Sequence, residues 1–201
     1  MIKNPEKILI IRLSAIGDVV DVLPALRCLR SNFPKSRISW LVEDRASMIL
    51  SGLPDIDDVI VFPRKKWQRE ILKVKKFIST LSDILSFYRK LHGECYDLVL
   101  DFQGNLKSGI MDLITGTENR VGFGKGFSKE FNYLFTGYRV YPQNKREHRI
   151  DKNLSLLKGI GFQAEFQNPE FPVSRPDQEY ISHFLDENSK CSVPLIIINP
   201  C

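Results

Sequence analysis

"KILIIRLSAIGDVV", Lys7 to Val20, runs from apolar β-type residues into Ser14-Ala15-Ile16-Gly17-Asp18 and so ends on a carboxylate. At a strand-to-helix turn an Asp has two uses. It caps the helix by accepting backbone N–H groups of the next turn, or it takes a proton from a bound hydroxyl as a general base. Gly17 allows a tight turn and close approach of a ligand, and Ser14 adds a loop hydroxyl. Neither G-x-G-x-x-G nor G-x-x-x-x-G-K-[ST] is present, and an acid placed where dinucleotide enzymes carry glycines repels a pyrophosphate. A second polar loop, "DFQGNLKSG", offers Asp101, Gln103, Gly104 and Lys107 ahead of an apolar helix. Gln103 can donate and accept, Gly104 permits close approach, and Lys107 brings a cation near a helix start. A third segment, "FPRKKWQRE", crowds Arg64, Lys65, Lys66 and Arg69. These groups are expected around one crevice, with Asp18 exposed at the cleft rather than buried in an ion pair. A carboxylate beside cations suits deprotonation of a hydroxyl on an acceptor with several negative charges.

Such groups need a frame. Apolar runs expected as strands are Lys7–Leu13, Arg37–Val42, Asp58–Phe62, Tyr96–Phe102 and Asn119–Gly122. Between them lie helical patterns over about Val20–Asn32, Arg45–Ser51, Trp67–Leu91 and Leu106–Ile114. The long one carries Ile71, Val74, Ile78, Leu81, Leu85 and Tyr88 at three- and four-residue spacing, an amphipathic stripe. Pro24 either opens the regular part of the first helix or kinks it. Strands apolar on both faces are covered by helices on both sides, so the expectation is an α/β, doubly wound parallel sheet. In such sheets ligands bind at strand carboxyl ends, where the strand order reverses. Further on, "HRIDKNLSLLKGIG" reads as a helix closed by Gly159 and Gly161, and "SRPDQEYISHFLDEN" as another with Ser174 as its cap. "VPLIIINPC" reads as a strand: either the last of the first sheet or, the expectation preferred here, the first of a second domain that the chain breaks off.

At 201 residues and 43% hydrophobic the sequence is that of an ordinary globular chain, not a disordered one. Its apolar runs are too short to span a bilayer and no secretory cleavage pattern is apparent. Four scattered cysteines lack a C-x-x-C pair or metal-ligand spacing, which fits reduced thiols. The net charge of +5 is unevenly spread: Arg64 to Lys76 holds seven cations against Glu70, and a second basic zone runs from Arg120 to Lys152. Such fields attract phosphorylated substrates, anionic lipid or nucleic acid, although for any single Lys a solvated surface role is the better expectation. A module binding anionic lipid or nucleic acid without catalysis, and a nucleotide-dependent oxidoreductase, therefore stand as alternatives. The missing glycine fingerprint weighs against the second, and the lack of a stacking platform or helix-turn-helix against nucleic acid.

The stretches "ILIIRLSAIGDVVDVLPALRCLRSNFP", "ISWLVEDRAS", "YDLVLDFQGNLKSG", "RVGFGKGFSKEFNYLF" and "EHRIDKNLSLLKGIG" resemble the N-terminal half of the bacterial lipopolysaccharide heptosyltransferases, glycosyltransferase family 9. They cover Ile8 to about Gly161, and the S-x-x-G-D-x-x-x-x-L-P-A-L signature carries most of the weight. The D-x-Q-G-x-x-K-S loop and the basic "RKKWQR" stretch look most like heptosyltransferase I. The resemblance implies a GT-B architecture, acceptor on the N-terminal Rossmann-like domain and nucleotide sugar on the C-terminal one. It implies inverting transfer of heptose from ADP-heptose to a Kdo sugar of lipid A by a cytoplasmic protein, peripheral at the inner leaflet of the bacterial inner membrane and meeting that surface through basic residues, with no metal or other cofactor. Under it Asp18 is the general base, and Arg64, Lys65, Lys66, Arg69, Gln103, Lys107 and Lys129 are acceptor-side groups. Ser14, Gly17 and Gly104 shape the loops. The expected division is residues 1–161 as acceptor-binding domain, 162–193 as a linker with a helix, and 194–201 as the first strand of the donor-binding domain. The family's ADP-gripping residues would lie beyond Cys201, so the chain is expected to be inactive alone.

Overall fold

The computed structural model describes residues 4–144, 146–169, 173 and 175–188. Six strands form one wholly parallel sheet: β1 (Lys7–Ile11), β2 (Arg37–Glu43), β3 (Asp58–Phe62), β4 (Leu98–Asp101), β5 (Arg120–Phe123) and β6 (Tyr138–Val140). Their order is β3-β2-β1-β4-β5-β6, the Rossmann arrangement with its switch point between β1 and β4. Register follows from the two apolar faces. Ile8 and Ile10 enter one core with Trp40, Leu98 and Leu157. Leu9 and Ile11 enter the other with Leu41, Trp67 and Leu91. Successive side chains of a strand point to opposite faces, and all four of these β1 residues are fully buried, so β1 has apolar core on both sides.

Helices α1 (Ile16–Val20), α2 (Leu23–Asn32) and α3 (Asp44–Leu50) follow the first two strands. The single helix expected over about Val20–Asn32 starts earlier and is broken. Pro24 sits in the first turn of α2, where its missing N–H costs nothing; within one continuous helix its ring would clash with the carbonyl four residues back.

The long helix expected over Trp67–Leu91 is also not one helix. It is α4 (Arg64–Glu70), a 3-10 turn at Val74–Lys76, and α5 (Phe77–Gly93). A straight 25-residue helix would be roughly 37 Å long, against about 17 Å for a five-residue strand. Folding back lets Trp67 of α4 meet Phe87 of α5 at 5.4 Å between ring centroids. The packed face of α5 is Thr80, Ile84, Phe87, Tyr88 and Leu91. Of the expected stripe, Val74, Ile78, Leu81 and Leu85 therefore point outward.

Helices α6 (Leu106–Ile114) and α7 (Arg149–Lys158) complete the unit. β6 has no counterpart in the sequence-based reading, because a three-residue edge strand with two exposed positions carries no hydrophobic period. At the end of α7 it is Gly161, with φ +90°, that takes the left-handed conformation. The compact unit extends to Pro169: Phe162 packs edge-on against Phe33 at 4.8 Å, and the Glu165 carbonyl accepts from the Cys28 thiol. In the second unit the described helix is α8 (Arg175–Asn188), with Arg175–Glu179 and His183–Glu187 pairs along it. The expected Ser174 cap and the strand over residues 194–201 lie outside the described residues.

Candidate active site

At the switch point the loops after β1 and β4 are joined by one side chain. The Gln103 carbonyl oxygen accepts from the Leu13 and Ser14 backbone N–H groups at 3.0 and 3.3 Å. Gln103 was expected to serve the acceptor; its oxygen holds the two loops in register, while the residue also lines the cleft. The β4 loop is fixed from beneath by Asp101, which is fully buried rather than aimed at the crevice. Asp101 accepts from the N–H groups of Gln103 and Gly104, the Ser108 hydroxyl and the Asn132 amide, all between 2.7 and 3.0 Å. Gly104 turns above it with φ +65°, a conformation that disfavours any Cβ. Burial nevertheless raises the Asp101 carboxyl. Asp112 on α6 shares this interior, and burial, then the Asp101 charge, pushes its carboxyl well above the usual range.

Asp18 sits in the first turn of α1 and not at the cap position. Its carboxylate reaches back to the Ala15 N–H at 3.3 Å, so a capping contribution is present. The expectation of an exposed carboxylate, not one buried in an ion pair, is corrected by the geometry: the Asp18 side chain is 24% exposed and doubly paired. Arg12 holds Oδ2 at 2.6 Å and Arg149 holds Oδ1 at 2.5 Å. The two cations differ in freedom. Arg12 is nearly buried and also donates to the Phe102 carbonyl, whereas the Arg149 side chain is 73% exposed. Nothing in the sequence around Arg12 separates it from a strand-end surface residue. Arg149 lies 131 positions from Asp18, and α7 brings it in: Asn153 of that helix donates to the Asp21 carbonyl at 2.9 Å.

These groups line a cleft of about 290 Å³ that also takes in Gln103, Gly104 and Lys129. Lys152 adds a further cation, donating to the Phe127 carbonyl and standing 4.5 Å over the Phe123 ring. Burial lowers the Lys152 ammonium, and the charges of Arg12 and Lys129 lower it further. Arg12, Lys129, Arg149 and Lys152 face Asp18 and Asp21, so the cleft can hold an anion beside a carboxylate.

Not every expected residue is there. Lys107 is ion-paired with Glu43, which also meets Arg64 at 3.5 Å; both cations are engaged at the end of β2, outside the cleft lining. Lys65, Lys66 and Arg69 lie on α4, with Lys66 near Asp83 at 3.7 Å. Gly17 has an unremarkable helical backbone, and a Cβ there would meet nothing within 4 Å. The tight-turn reason for Gly17 therefore fails, and only open space above the loop remains. A larger hollow of about 440 Å³ lies at the amino ends of β2 and β3. There Arg37 and Asp58 neutralise each other at 2.6 Å, far from the strand ends where ligands bind.

Sheet order and crevice together define a Rossmann-like domain of the kind that forms the N-terminal half of a GT-B enzyme. The chain belongs to glycosyltransferase family 9 (heptosyltransferase), whose family model matches residues 84–201. It is 24% identical over 98% of its length to the lipopolysaccharide core heptosyltransferase OpsX of Haemophilus influenzae, covering 51% of that protein. It is 36% identical to lipopolysaccharide heptosyltransferase 1 of Campylobacter coli over 62% of this chain and 32% of that protein. Among solved structures, a family 9 glycosyltransferase from Veillonella parvula superposes with a TM-score of 0.72 at 19% identity, over 93% of this chain and 51% of that one. The E. coli heptosyltransferase WaaC with ADP gives 0.67 at 23% identity, over 82% and 50%. The chain thus spans about half the length of the relatives it matches. Among the described residues no helix is long and apolar enough to cross a membrane.

Proposed function

We propose that this chain is the acceptor side of an inverting heptosyltransferase that moves heptose from ADP-heptose to a Kdo sugar of lipid A. The observation that carries this is a carboxylate, Asp18, held at the β1/β4 crevice inside a cation-lined cleft. Its two oxygens are unequal. Oδ2 is fixed by Arg12 and the Ala15 N–H, while Oδ1 meets the exposed Arg149. An acceptor hydroxyl therefore binds at Oδ1, with Arg149 turning to an acceptor carboxylate or phosphate. As the hydroxyl oxygen attacks the sugar carbon from the face opposite the nucleotide, Oδ1 takes its proton, and the leaving diphosphate departs with the bond electrons. Arg12 stays and keeps the carboxylate aimed. Lys129 and Lys152 add attraction for the acceptor's negative groups, and the α4 cations extend this field along the rim.

Names of relatives support the donor class: one structure of E. coli WaaC carries ADP-2-deoxy-2-fluoro heptose. The donor side is assigned to the part of the relatives' length that this chain does not span. The test is Asp18→Asn in the full-length enzyme, which should lower kcat by roughly 10²–10⁴-fold with the acceptor KM little changed. Retention of wild-type turnover with lowered thermal stability would leave Asp18 as a capping residue only.

A further inference from the structure

The turn between α4 and α5 exposes apolar side chains that the domain does not cover. Leu72 is 84% exposed, Val74 94% and Ile78 81%, within seven positions. Scattered exposed apolar residues are ordinary. Here they interleave with Lys73, Lys75 and Lys76. Lys76 meets Glu70 at 2.9 Å, while Lys73 and Lys75 have no ion-pair partner among the described residues. The segment from Arg64 to Ile78 holds seven cations and one acid, more than the chain's whole net excess of +5.

The place of this turn follows from the topology. A single residue, Pro63, separates the carboxyl end of β3 from the start of α4. α5 ends beside the amino edge, where Lys7 of β1 donates to the Glu94 carbonyl at 2.8 Å. α5 therefore runs from the carboxyl rim to the amino edge and is roughly 25 Å long, against about 13 Å for β4. Its buried positions begin at Thr80, so the preceding turn stands at the carboxyl-rim end of α5, the edge of the sheet from which the Asp18 loop also leaves.

We propose that the Leu72–Ile78 turn is a docking wedge for an anionic bilayer: Leu72, Val74 and Ile78 enter the headgroup–acyl boundary and Lys73 and Lys75 lie among anionic headgroups. Exposed apolar residues alternating with cations are how interfacial segments bind membranes. A second copy of the chain would bring an equally cationic surface to the contact, which like charges oppose. The orientation extends the function proposed above, since it turns the Asp18 cleft toward a membrane holding a lipid-linked acceptor.

The test uses the chain Met1–Cys201 and vesicles free of any lipopolysaccharide, so acceptor recognition plays no part. Flotation with phosphatidylcholine vesicles, with and without phosphatidylglycerol, should show binding only to the anionic ones. Leu72→Ser, Val74→Ser and Ile78→Ser together should weaken it by at least about tenfold. Lys73→Gln and Lys75→Gln should weaken it roughly fivefold each and flatten its salt dependence. Tryptophan emission of Val74→Trp should shift to the blue on binding and be quenched by brominated lipid. Asp18→Asn should bind like the wild type, which separates docking from the proposed transfer chemistry. Vesicle binding indifferent to the serine variant, a Val74→Trp emission still typical of water, or self-association abolished by the same serines would each overturn the wedge.

Discussion

Asp18 has one oxygen fixed by a nearly buried arginine and the other held by an exposed one, and the two arginines should respond differently to removal. Arg149→Ala should chiefly raise the acceptor KM, because that side chain carries little of the fold. Arg12→Ala removes support from both Asp18 and the Phe102 carbonyl. It should lower kcat and cost about 1–3 kcal/mol in urea unfolding, the usual consequence of stripping a partly buried hydrogen-bonded charge. A second residue-scale expectation concerns Asp112, whose carboxyl burial raises well above its usual range. The unfolded chain gives up this proton above about pH 4 while the folded chain keeps it. The unfolded state then binds fewer protons, so stability falls as pH rises from about 4 toward the raised folded value. Urea midpoints measured across that range should decline less in Asp112→Asn than in the wild type.

Among the elements, the α4–turn–α5 hairpin and the two loops at the switch point have separate work. Lys65→Ala, Lys66→Ala and Arg69→Ala in one variant should raise the acceptor KM and flatten its dependence on salt, since exposed charges are screened within about 10 Å at 0.1 M. The ADP-heptose KM should stay put; an equal effect on both substrates would remove α4 from the acceptor side. Gln103 acts between elements. Gln103→Leu leaves the Leu13 and Ser14 N–H groups without their acceptor and should lower kcat more than it lowers stability, because it frees two loops rather than opening a core.

For the molecule as a whole, the decisive fact is that it matches about half the length of its relatives. The described sheet unit presents one charged cleft at the switch point, and we assign the nucleotide sugar to the remainder. Calorimetric titration of Met1–Cys201 should show binding of a Kdo-type anion, weak or no binding of ADP-heptose, and no transfer. Tight ADP-heptose binding by this chain would overturn that division of substrates.

The sequence by itself determined five of the six strands and the strand ends that carry the polar loops; the edge strand β6 and the strand order came from the tertiary structure. Runs such as Ile8–Ile11 and Leu98–Leu100 are apolar at every position, which leaves a strand covered on both faces as their only stable place. Parallel strands joined by helices then put the Asp18 and Gln103 loops at the same edge. Helix period was less decisive: Ile71 to Tyr88 fits one continuous stripe, yet the sheet is shorter than that helix, so the chain folds back and another face is buried. Tertiary structure alone decided how the polar groups are partnered. Arg149 reaches Asp18 across 131 positions, Lys107 is drawn to Glu43, and the Gln103 oxygen binds the neighbouring loop. Local spacing can show that a residue stands at a strand end, but which opposite charge meets it depends on where distant helices pack. The doubly paired Asp18 exists only because α7 packs beside the crevice.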